Sequence, residues 1–362
     1  MHAEHAEHAG DGPAGAVDIT PEPAGTPLAL GPTASPEHRA AALAAFAATE
    51  PTPGVPKREA ILVADSVVRR FGGVTAVDVA HLEIQRGSIT ALIGPNGAGK
   101  TTLFNLLTGF DTPEDGTWSF EGRVISGLPA HRLARGGMVR TFQLTKALAK
   151  LTVLDNMRLG ATGQRGESVL RALLPGTWRR QEAEITDQAH ALLEHFKLAE
   201  KADDFAGSLS GGQRKLLEMA RALMATPRMI MLDEPMAGVN PALTQSLLGH
   251  VQSLRDDGMT VLFVEHDMDM VRHIADWAVV MAQGAVVAEG PPTTVMADER
   301  VIDAYLGSHH DAPLSLEEER ERLAEIADSG EIPLVPYDGS AKDPEAVAPT
   351  PRPPAPEESD GA

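Results

Sequence analysis

The chain of 362 residues contains no cysteine. Disulfide bonds, thiolate metal sites and cysteine nucleophiles are therefore excluded, and a reducing compartment fits this composition. The sequence also lacks an apolar window of roughly 18–20 residues, the length that a membrane-spanning helix needs. Its first residues, MHAEHAEHAGDG, have neither the basic start nor the apolar stretch of a signal peptide. We expect a protein that is soluble or is held at a membrane by partners.

Positive charge is also scarce, and the acidity is concentrated at the two ends. The formal net charge is −20. Residues 1–57 hold 7 acidic residues against 2 Lys/Arg, residues 311–362 hold 14 against 4, and residues 58–310 hold 30 against 25. This balance argues against broad nucleic-acid binding.

The two ends are rich in Pro, Ala, Gly and acidic residues, which is a composition typical of disorder. We therefore expect disordered tails at 1–57 and 311–362 around a folded domain at 58–310. Helix-start signals in SPEHRAAALAAFAA and SLEEERERLAEIA predict short helices within these tails. Marginal helicity in a tail is the favoured interpretation, and docking of either helix on another surface is the alternative. The N-terminal His2, His5 and His8 lack acidic or thiol ligands at fixed spacing, so metal binding there is disfavoured.

The middle of the chain alternates strand-like and helix-like patterns. The apolar runs in RMIMLDEP and MTVLFVEHD are typical of buried parallel strands, and NPALTQSLLGHVQSLRDDG between them has a helical pattern. The segment WAVVMAQGAVVAEG predicts a hairpin that turns at Gln283-Gly284. This alternation predicts an α/β fold with a mainly parallel sheet.

A phosphate-binding loop is predicted at GPNGAGKT, residues 94–101, between the strand-like SITALI and the helix-like TTLFNLLTG. Glycines in such a loop let backbone N–H groups point inward at phosphate oxygens, next to a helix N-terminus. Lys100 is placed to reach the β- and γ-phosphates and Thr101 to bind Mg²⁺, with Thr102 as a further phosphate contact. We expect the chain to bind a nucleotide with Mg²⁺.

Further candidates for the reaction follow two strand-like runs and one Thr-Phe pair. In MIMLDEP, Asp233 is expected to hold Mg²⁺ through water, and Glu234 to act as general base on an attacking water. In FVEHD, His266 follows a strand at the sheet edge where ligands bind, within reach of the γ-phosphate. In VRTFQLT, the amide of Gln143 is a candidate contact for Mg²⁺ and for the attacking water.

A second anion-binding helix start lies more than a hundred residues further on, in GSLSGGQRKLL. Ser210, Gly211, Gly212 and Gln213 precede a helical run, as the phosphate loop does. Two such sites in one domain do not easily clamp one nucleotide from opposite sides. Two domains arranged head to tail do, so we expect these residues to contact ATP bound by a partner domain.

Taken in order, GPNGAGKTT, LSGGQ, MIMLDEP and EHD, with a Gln between the first two, resemble the ATP-binding cassette (ABC) ATPases over residues 60–307. The resemblance implies a P-loop NTPase with a RecA-like core, an antiparallel β subdomain and an α-helical subdomain at about 143–214. It makes Phe71 the adenine-stacking aromatic and places Gly238 and Asn240 in the dimer-contact loop, where the family usually has Asp at the position of Asn240. The ATP-binding residues that it implies are Phe71, Gly94, Pro95, Asn96, Gly97, Ala98, Gly99, Lys100, Thr101, Thr102 and Gln143.

Further stretches are similar to the ATPases of branched-chain (hydrophobic) amino-acid uptake systems. These are RFGGVTAV, LTVLDNM, EHDMDMV and VIDAYLG, and the insert ATGQRGESVLRALLPGTWRRQE resembles that of the longer of the two ATPases of such systems. The resemblance implies a peripheral protein on the cytoplasmic side of the plasma membrane. Its partners would be a second ABC ATPase, identical or different, two membrane permeases and an extracellular solute-binding protein, without nucleic acid.

Three alternatives stay open. Related ATPases for urea, short amides or lipid export share many of these stretches. A non-transport ABC ATPase in DNA repair or on the ribosome usually has coiled coils, zinc modules or two cassettes, and this sequence has none of these. A regulatory module without turnover is disfavoured because both Glu234 and His266 are present.

Residues 131–180 carry ten Lys/Arg, Arg140 among them, and only two acidic residues. One hypothesis places this basic segment near anionic lipid headgroups and the cytoplasmic loops of the permease. The other makes it a solvated helical face that the acidic residues in 182–204 balance.

Overall fold

The computed structural model describes residues 36–141, 148–164, 178–239 and 241–309. Ten strands in this part of the chain form two sheets. The strands are β1 (Ala60–Phe71), β2 (Val74–Gln85), β3 (Ile89–Ile93), β4 (Asp115–Phe120), β5 (Arg123–Val124), β6 (Met138–Arg140), β7 (Met229–Asp233), β8 (Thr260–Val264), β9 (Trp277–Ala282) and β10 (Ala285–Gly290).

Ten α-helices accompany these strands in the described ranges. They are α1 (Pro36–Ala47), α2 (Lys100–Leu107), α3 (Ala130–Arg135), α4 (Val153–Gly160), α5 (Arg179–His195), α6 (Gly211–Leu223), α7 (Pro241–Asp256), α8 (Met268–Ile274), α9 (Pro292–Val295) and α10 (Glu299–His309).

The larger sheet has the strand order β10-β9-β3-β8-β7-β6. Its pairs are parallel from β9 to β6, and only the β9–β10 pair is antiparallel. Every residue of β3 and β8 is buried, because both faces of the sheet are covered. The predicted mainly parallel sheet is confirmed, and so is the terminal hairpin, where Gln283 and Gly284 adopt φ angles of 50° and 84°.

The smaller sheet is antiparallel, with the order β2-β1-β4-β5. Its apolar face shares one buried cluster with α2 and one face of the larger sheet, and Trp118 and Phe104 are among the largest side chains in this cluster. This is the antiparallel β subdomain that the resemblance to ABC ATPases implied. The packing holds α2, and with it the loop that precedes α2, against two sheets at once.

Helices α4, α5 and α6 build a separate layer over the other face of the larger sheet. Met157, Leu193, Phe196 and Leu217 are fully buried there, in one cluster with residues of the sheet and of α7. The implied α-helical subdomain is therefore present. Its last helix, α6, extends to Leu223, beyond the end expected at about residue 214.

The N-terminal segment 36–57 packs on the folded domain, although the composition assigned it to a tail. Helix α1 places the Arg39 guanidinium on the Asp276 carboxylate, with N–O distances of 2.6 and 2.8 Å. Phe46 stacks on Trp277, with ring centroids 4.8 Å apart. Lys57 is buried and forms an ion pair of 2.7 Å with Glu289. Packing therefore begins before the domain boundary expected at residue 58.

Two features of the tails lie outside the described residues: the histidines at positions 2, 5 and 8, and the helix predicted over 315–327. Among the residues that the structure does describe, no helix combines the length and the apolar character needed to cross a bilayer.

Candidate functional site

The predicted phosphate loop lies between the buried strand β3 and α2, as its sequence motif requires. Gly94, Gly97 and Gly99 have φ angles of 147°, 78° and 96°, which other residues rarely adopt. The loop also passes so close to its neighbours that a Cβ on Gly94 would lie 2.1 Å from the Met281 carbonyl oxygen, and one on Gly99 would lie 2.2 Å from that of Ala76. The glycines thus fix both the curl of the loop and its seat on the sheets.

Lys100 directs its ammonium group back into this loop. Nζ donates to the carbonyl oxygens of Gly94 at 2.6 Å and Pro95 at 2.9 Å. Burial lowers the pKa of Lys100, and the nearby charge of Glu234 opposes that shift. The cation therefore lies at the mouth of the loop, where the sequence predicts the phosphates.

The remaining loop residues divide into an exposed rim and a buried back. Asn96, Gly97 and Thr101 are exposed, whereas Pro95 and Thr102 are half-buried. Ala98 is 3% exposed and its carbonyl oxygen accepts from the Gly284 N–H at 3.0 Å. The β9–β10 turn thus supports the loop from behind and leaves its outer rim open to a ligand.

Asp233 is the last residue of strand β7, after four buried residues, and Glu234 follows it at the carboxyl edge of the parallel sheet. The edge position agrees with the general rule for ligand sites in such sheets. Glu234 is exposed and has a φ of 42°, and its N–H donates to the Val264 carbonyl at 3.1 Å. This turn directs the Glu234 carboxylate away from the core.

A cavity of about 390 Å³ brings these elements together. Its lining includes Thr101 from α2, Asp233 and Glu234 from the end of β7, and Lys215 and Glu218 from α6. The hydroxyl, the metal-binding candidate and the base candidate therefore share one space. Thr101 and Asp233 offer hard oxygen donors, the type that Mg²⁺ prefers, and one or two such ligands suffice beside phosphate and water.

Arg140, at the end of β6, is a residue of this site that the sequence reasoning missed. Its Nη2 donates to Asp233 Oδ2 at 2.5 Å, and Nη1 donates to Asn105 Oδ1 at 2.6 Å. The sequence reasoning counted Arg140 among the residues of a basic surface segment, but its side chain is only 10% exposed. The signal available was its position, since β6 ends at the same sheet edge as β7.

His266 and the residue before it follow β8. The His266 side chain is 65% exposed, as a contact to a bound ligand requires. Glu265 is 2% exposed, and burial raises the pKa of its carboxyl group. The sequence reasoning passed over Glu265, although the end of a mainly apolar strand is an unusual place for an acidic residue.

Ser210 and Gln213 form a reciprocal cap at the start of α6. Ser210 Oγ accepts from the Gln213 N–H at 3.3 Å, and Gln213 Oε1 accepts from the Ser210 N–H at 3.0 Å. Gly211 is exposed with open space around it, whereas Gly212 packs against Leu243. None of these four residues belongs to the lining of the cavity beside the phosphate loop.

The positions implied by resemblance alone are exposed or lie outside the described residues. Phe71 is 49% exposed at the end of β1, with the Arg69 guanidinium 4.6 Å from its ring centroid. Gly238 is exposed after β7, with a φ of 72°. Gln143 and Asn240 lie outside the described residues, so their roles stay predictions.

Two family models match the chain. The ABC transporter model matches residues 77–237, and the model described as branched-chain amino acid ATP-binding cassette transporter matches residues 285–311. The first match spans the phosphate loop, the start of α6 and the end of β7. The second spans β10, α9 and α10.

Curated relatives match over nearly their whole length. The chain is 41% identical to the probable branched-chain amino acid transport ATP-binding protein LivG of Archaeoglobus fulgidus, over 68% of this chain and 96% of that protein. It is 42% identical to the high-affinity branched-chain amino acid transport ATP-binding protein BraF of Pseudomonas aeruginosa, over 68% of this chain and 98% of the relative.

Solved structures agree. An ATP-binding cassette of an ABC transporter in its ADP conformation is 38% identical with a TM-score of 0.60, over 68% of this chain and 99% of that one. A nucleotide-free ATP-binding cassette from an ABC transporter is 39% identical with the same TM-score, over 68% and 98%. Together with the loop, the cavity and the helix cap described above, these relationships show that the chain is an ATP-binding ATPase that belongs to the ATP-binding cassette transporter family, within its branched-chain amino acid group.

Proposed function

We propose that this chain hydrolyses ATP to drive uptake of branched-chain or other hydrophobic amino acids through partner permeases. The hydrolytic part rests on one observation: Thr101, Asp233 and Glu234 line the same cavity. The names of the relatives and the match at 285–311 support the amino-acid substrate. The solute itself has no contact in this chain, since a cassette ATPase acts from outside the membrane pathway.

In this proposal the ATP phosphates lie along the loop 94–99, and the Lys100 ammonium exchanges its carbonyl partners for the β- and γ-phosphates. Thr101, and Asp233 through water, would hold Mg²⁺, which would supply positive charge beside the phosphates. Glu234 takes a proton from the attacking water, and His266 donates a hydrogen bond to the γ-phosphate. Gln143 would contact the metal and the attacking water, and Phe71 would stack on the adenine.

The functional unit is a head-to-tail pair of cassettes. Ser210, Gly211 and Gly212 of one cassette close on the γ-phosphate bound by the other, with Gln213 fixing the start of the helix. The exposed position of Ser210 and Gly211 and their absence from the cavity lining support action on a partner's nucleotide. Gly238 and Asn240 lie in the loop that contacts the second cassette.

The partners are a second ABC ATPase, identical or different, two permeases and an extracellular solute-binding protein. The chain is peripheral on the cytoplasmic side of the plasma membrane, and nucleic acid has no part. The folded domain ends at about residue 310, with an acidic tail beyond it. The alternatives are an ABC ATPase for urea, short amides or lipid export, and a non-transport ABC ATPase.

The first experiment measures Mg²⁺-dependent ATP hydrolysis by the purified full-length chain and its Glu234→Gln variant. We expect Glu234→Gln to lower kcat by about 100-fold or more while ATP binding is kept, because a general base contributes at least that factor. Glu114→Gln is the matched control, since this acid pairs with Arg70 on the exposed surface. Hydrolysis by Glu234→Gln at the level of the control would refute the assignment of the base.

The second experiment tests transport and partners. Cells that carry the Glu234→Gln variant in place of the native chain are assayed for uptake of labelled leucine and labelled urea, and the membrane-extracted protein is analysed for co-purifying subunits. We expect loss of leucine uptake alone and recovery of two permeases with a second cassette ATPase. Loss of urea uptake alone would show that urea is the substrate. Recovery of ribosomes in place of permeases would show that the chain does not act in transport.

A further inference from the structure

Glu265 is a buried acid that directly precedes the exposed His266 and lies near the exposed Glu234. It follows five fully buried residues of β8 and precedes His266, and its side chain is 2% exposed. Glu234 lies close enough to raise the pKa of Glu265 further, after the larger effect of burial. Burial of a carboxylate in such surroundings destabilises the fold unless its oxygens accept hydrogen bonds.

The two carboxylate oxygens of Glu265 accept from two different loops. Oε1 accepts from the Met236 N–H at 3.3 Å, two residues beyond Glu234, and Oε2 accepts from the His266 N–H, also at 3.3 Å. The His266 Nδ1 lies 3.7 Å from the same Oε2. One side chain therefore joins the loop after β7 to the loop after β8.

The backbone of Glu265 adds a third connection. Its N–H donates to the Leu92 carbonyl oxygen at 3.4 Å, and Leu92 lies in β3, two residues before the phosphate loop begins. The three chain segments that leave β3, β7 and β8 at the ligand edge are thus connected through one residue. Glu234, at the start of its turn, has a left-handed φ of 42°. A non-glycine residue keeps this unfavourable conformation only where surrounding contacts hold it.

We propose that Glu265 is a positioning residue, whose two carboxylate oxygens hold the Glu234 turn and His266 at the fixed separation that lets both act on one γ-phosphate. This inference rests on the proposed function, because it assigns Glu265 a role that acts through Glu234 and His266. The hydrogen bonds of the Glu265 carboxylate go to the backbone of these two loops, so Glu265 acts through them. Its effect is on the geometry of hydrolysis rather than on the affinity for ATP.

The test is Glu265→Gln in the purified full-length chain. Glutamine has nearly the same volume but only one acceptor oxygen, so its NH₂ group faces one of the two backbone N–H donors. We expect kcat to fall about 10-fold with KM for ATP within about twofold of the native value, because misplacement of catalytic groups lowers turnover without removing the contacts that bind ATP. Glu265→Asp keeps both oxygens on a shorter arm and is expected to retain an intermediate kcat at an unchanged KM.

Glu289→Gln is the matched control. Glu289 is also a buried acid, 1% exposed, but it binds Lys57 and Trp277 near α1. We expect this variant to lose thermal stability and keep the native kcat. If Glu265→Gln keeps the native kcat, or if its kcat loss is matched by Glu289→Gln at equal loss of Tm, the positioning role is refuted. If Glu265→Gln is insoluble, the Glu265→Asp variant decides by the same comparison.

Glu234→Gln separates this inference from the proposed function. If Glu234→Gln still hydrolyses ATP, the assignment of the base fails and the inference fails with it. If Glu234→Gln is inactive while Glu265→Gln is fully active, only the positioning role fails. In the double variant we expect less than the product of the two separate losses in kcat, since residues that act as a unit are not additive.

Discussion

Arg140 Nη2 donates to Asp233 Oδ2 at 2.5 Å, and this contact joins β6 to the metal-binding candidate at the end of β7. The same guanidinium reaches Asn105 on α2 and Thr108, which caps the end of α2, through Nη1 at 2.6 and 3.3 Å. It also stacks over the Phe104 ring, 4.9 Å from the centroid. Arg140 therefore fixes the direction of the Asp233 carboxylate relative to the helix that begins at the phosphate loop.

We predict that Arg140→Ala lowers the free energy of unfolding by about 2–3 kcal/mol, because it leaves the partly buried Asp233 carboxylate and the acceptors on Asn105 and Thr108 without this donor. Urea denaturation measures the change. Arg70→Ala is the control, since the Arg70–Glu114 pair is 51% and 40% exposed and is expected to contribute less than about 1 kcal/mol. Equal losses in the two variants would contradict the structural role of Arg140.

The two loop glycines Gly99 and Gly97 are predicted to differ in what they tolerate. Gly99→Ala places a Cβ 2.2 Å from the Ala76 carbonyl oxygen, so the loop must leave β2. Gly97→Ala meets nothing within 4 Å and carries only the cost of a left-handed residue, about 1–2 kcal/mol. We expect ATP affinity to fall at least about 10-fold more in Gly99→Ala than in Gly97→Ala, as measured by equilibrium binding. A larger loss of affinity in Gly97→Ala than in Gly99→Ala would show that ATP binding does not depend on the packing of the loop against β2.

Ser210 and Thr152 both cap helices, but only Ser210 is proposed to contact a nucleotide. Ser210 Oγ accepts from the Gln213 N–H, and Thr152 Oγ1 accepts from the Asp155 N–H at 3.0 Å. Replacement of either by Ala is expected to cost about 1 kcal/mol of stability. We predict that Ser210→Ala also lowers ATPase activity at saturating protein concentration, whereas Thr152→Ala does not. Equal activities at equal stabilities would remove Ser210 from the proposed composite site.

The sheet and the phosphate loop were predictable because their signals are local. Continuous apolar runs such as β7 and β8 identify strands covered on both faces, and the glycine pattern at 94–99 needs only the strand before it and the helix after it. The edge rule for parallel sheets then placed Asp233, Glu234 and His266 on the same side of the molecule. The structure places these three residues there.

The parts that escaped prediction depend on contacts between distant residues. Arg140 meets Asp233 across 93 positions, and Arg39 meets Asp276 across 237. Composition alone describes α1 as a marginal helix, because the ion pair and the aromatic stacking that hold it come from β9 and the residue before it. Glu265 is only 29 positions from Met236, but the hydrogen bond between them forms only once the loops after β7 and β8 lie side by side.

His250 is predicted to make the fold sensitive to acid. Burial, together with the nearby charges of His195 and Lys197, lowers the pKa of His250 to about 4 from its ordinary value of 6.5. The folded protein therefore keeps His250 neutral in the window between these values, where the unfolded chain takes up a proton. The contribution of neutral His250 to the free energy of unfolding is complete above pH 6.5 and is lost as the pH falls toward 4.

We expect the free energy of unfolding to fall between pH 7 and pH 5 by about 1 kcal/mol more in the native chain than in His250→Gln, after allowance for partial exposure. Denaturation at both pH values measures this difference. His131→Gln replaces an exposed histidine and is expected to show the native pH dependence. A pH dependence in His250→Gln that equals that of the native chain would show that His250 is protonated as easily in the fold as outside it.

Helix α1 is predicted to stabilise the cassette through Phe46, whose ring lies 4.8 Å from that of Trp277 at an interplanar angle of 11°. Phe46→Ala removes this stacking and is expected to cost about 1–2 kcal/mol and to shift the Trp277 fluorescence to longer wavelength as the ring becomes hydrated. Leu43 lies on the same helix but is 51% exposed. We expect Leu43→Ala to change the stability and the fluorescence wavelength by at most about a quarter of the changes in Phe46→Ala. ATPase activity is expected to be native in both variants, because α1 packs at the Trp277 end of β9, whereas the phosphate loop contacts Gly284 beyond the other end of β9. If Phe46→Ala and Leu43→Ala have the same stability and fluorescence, α1 does not pack on β9 in solution.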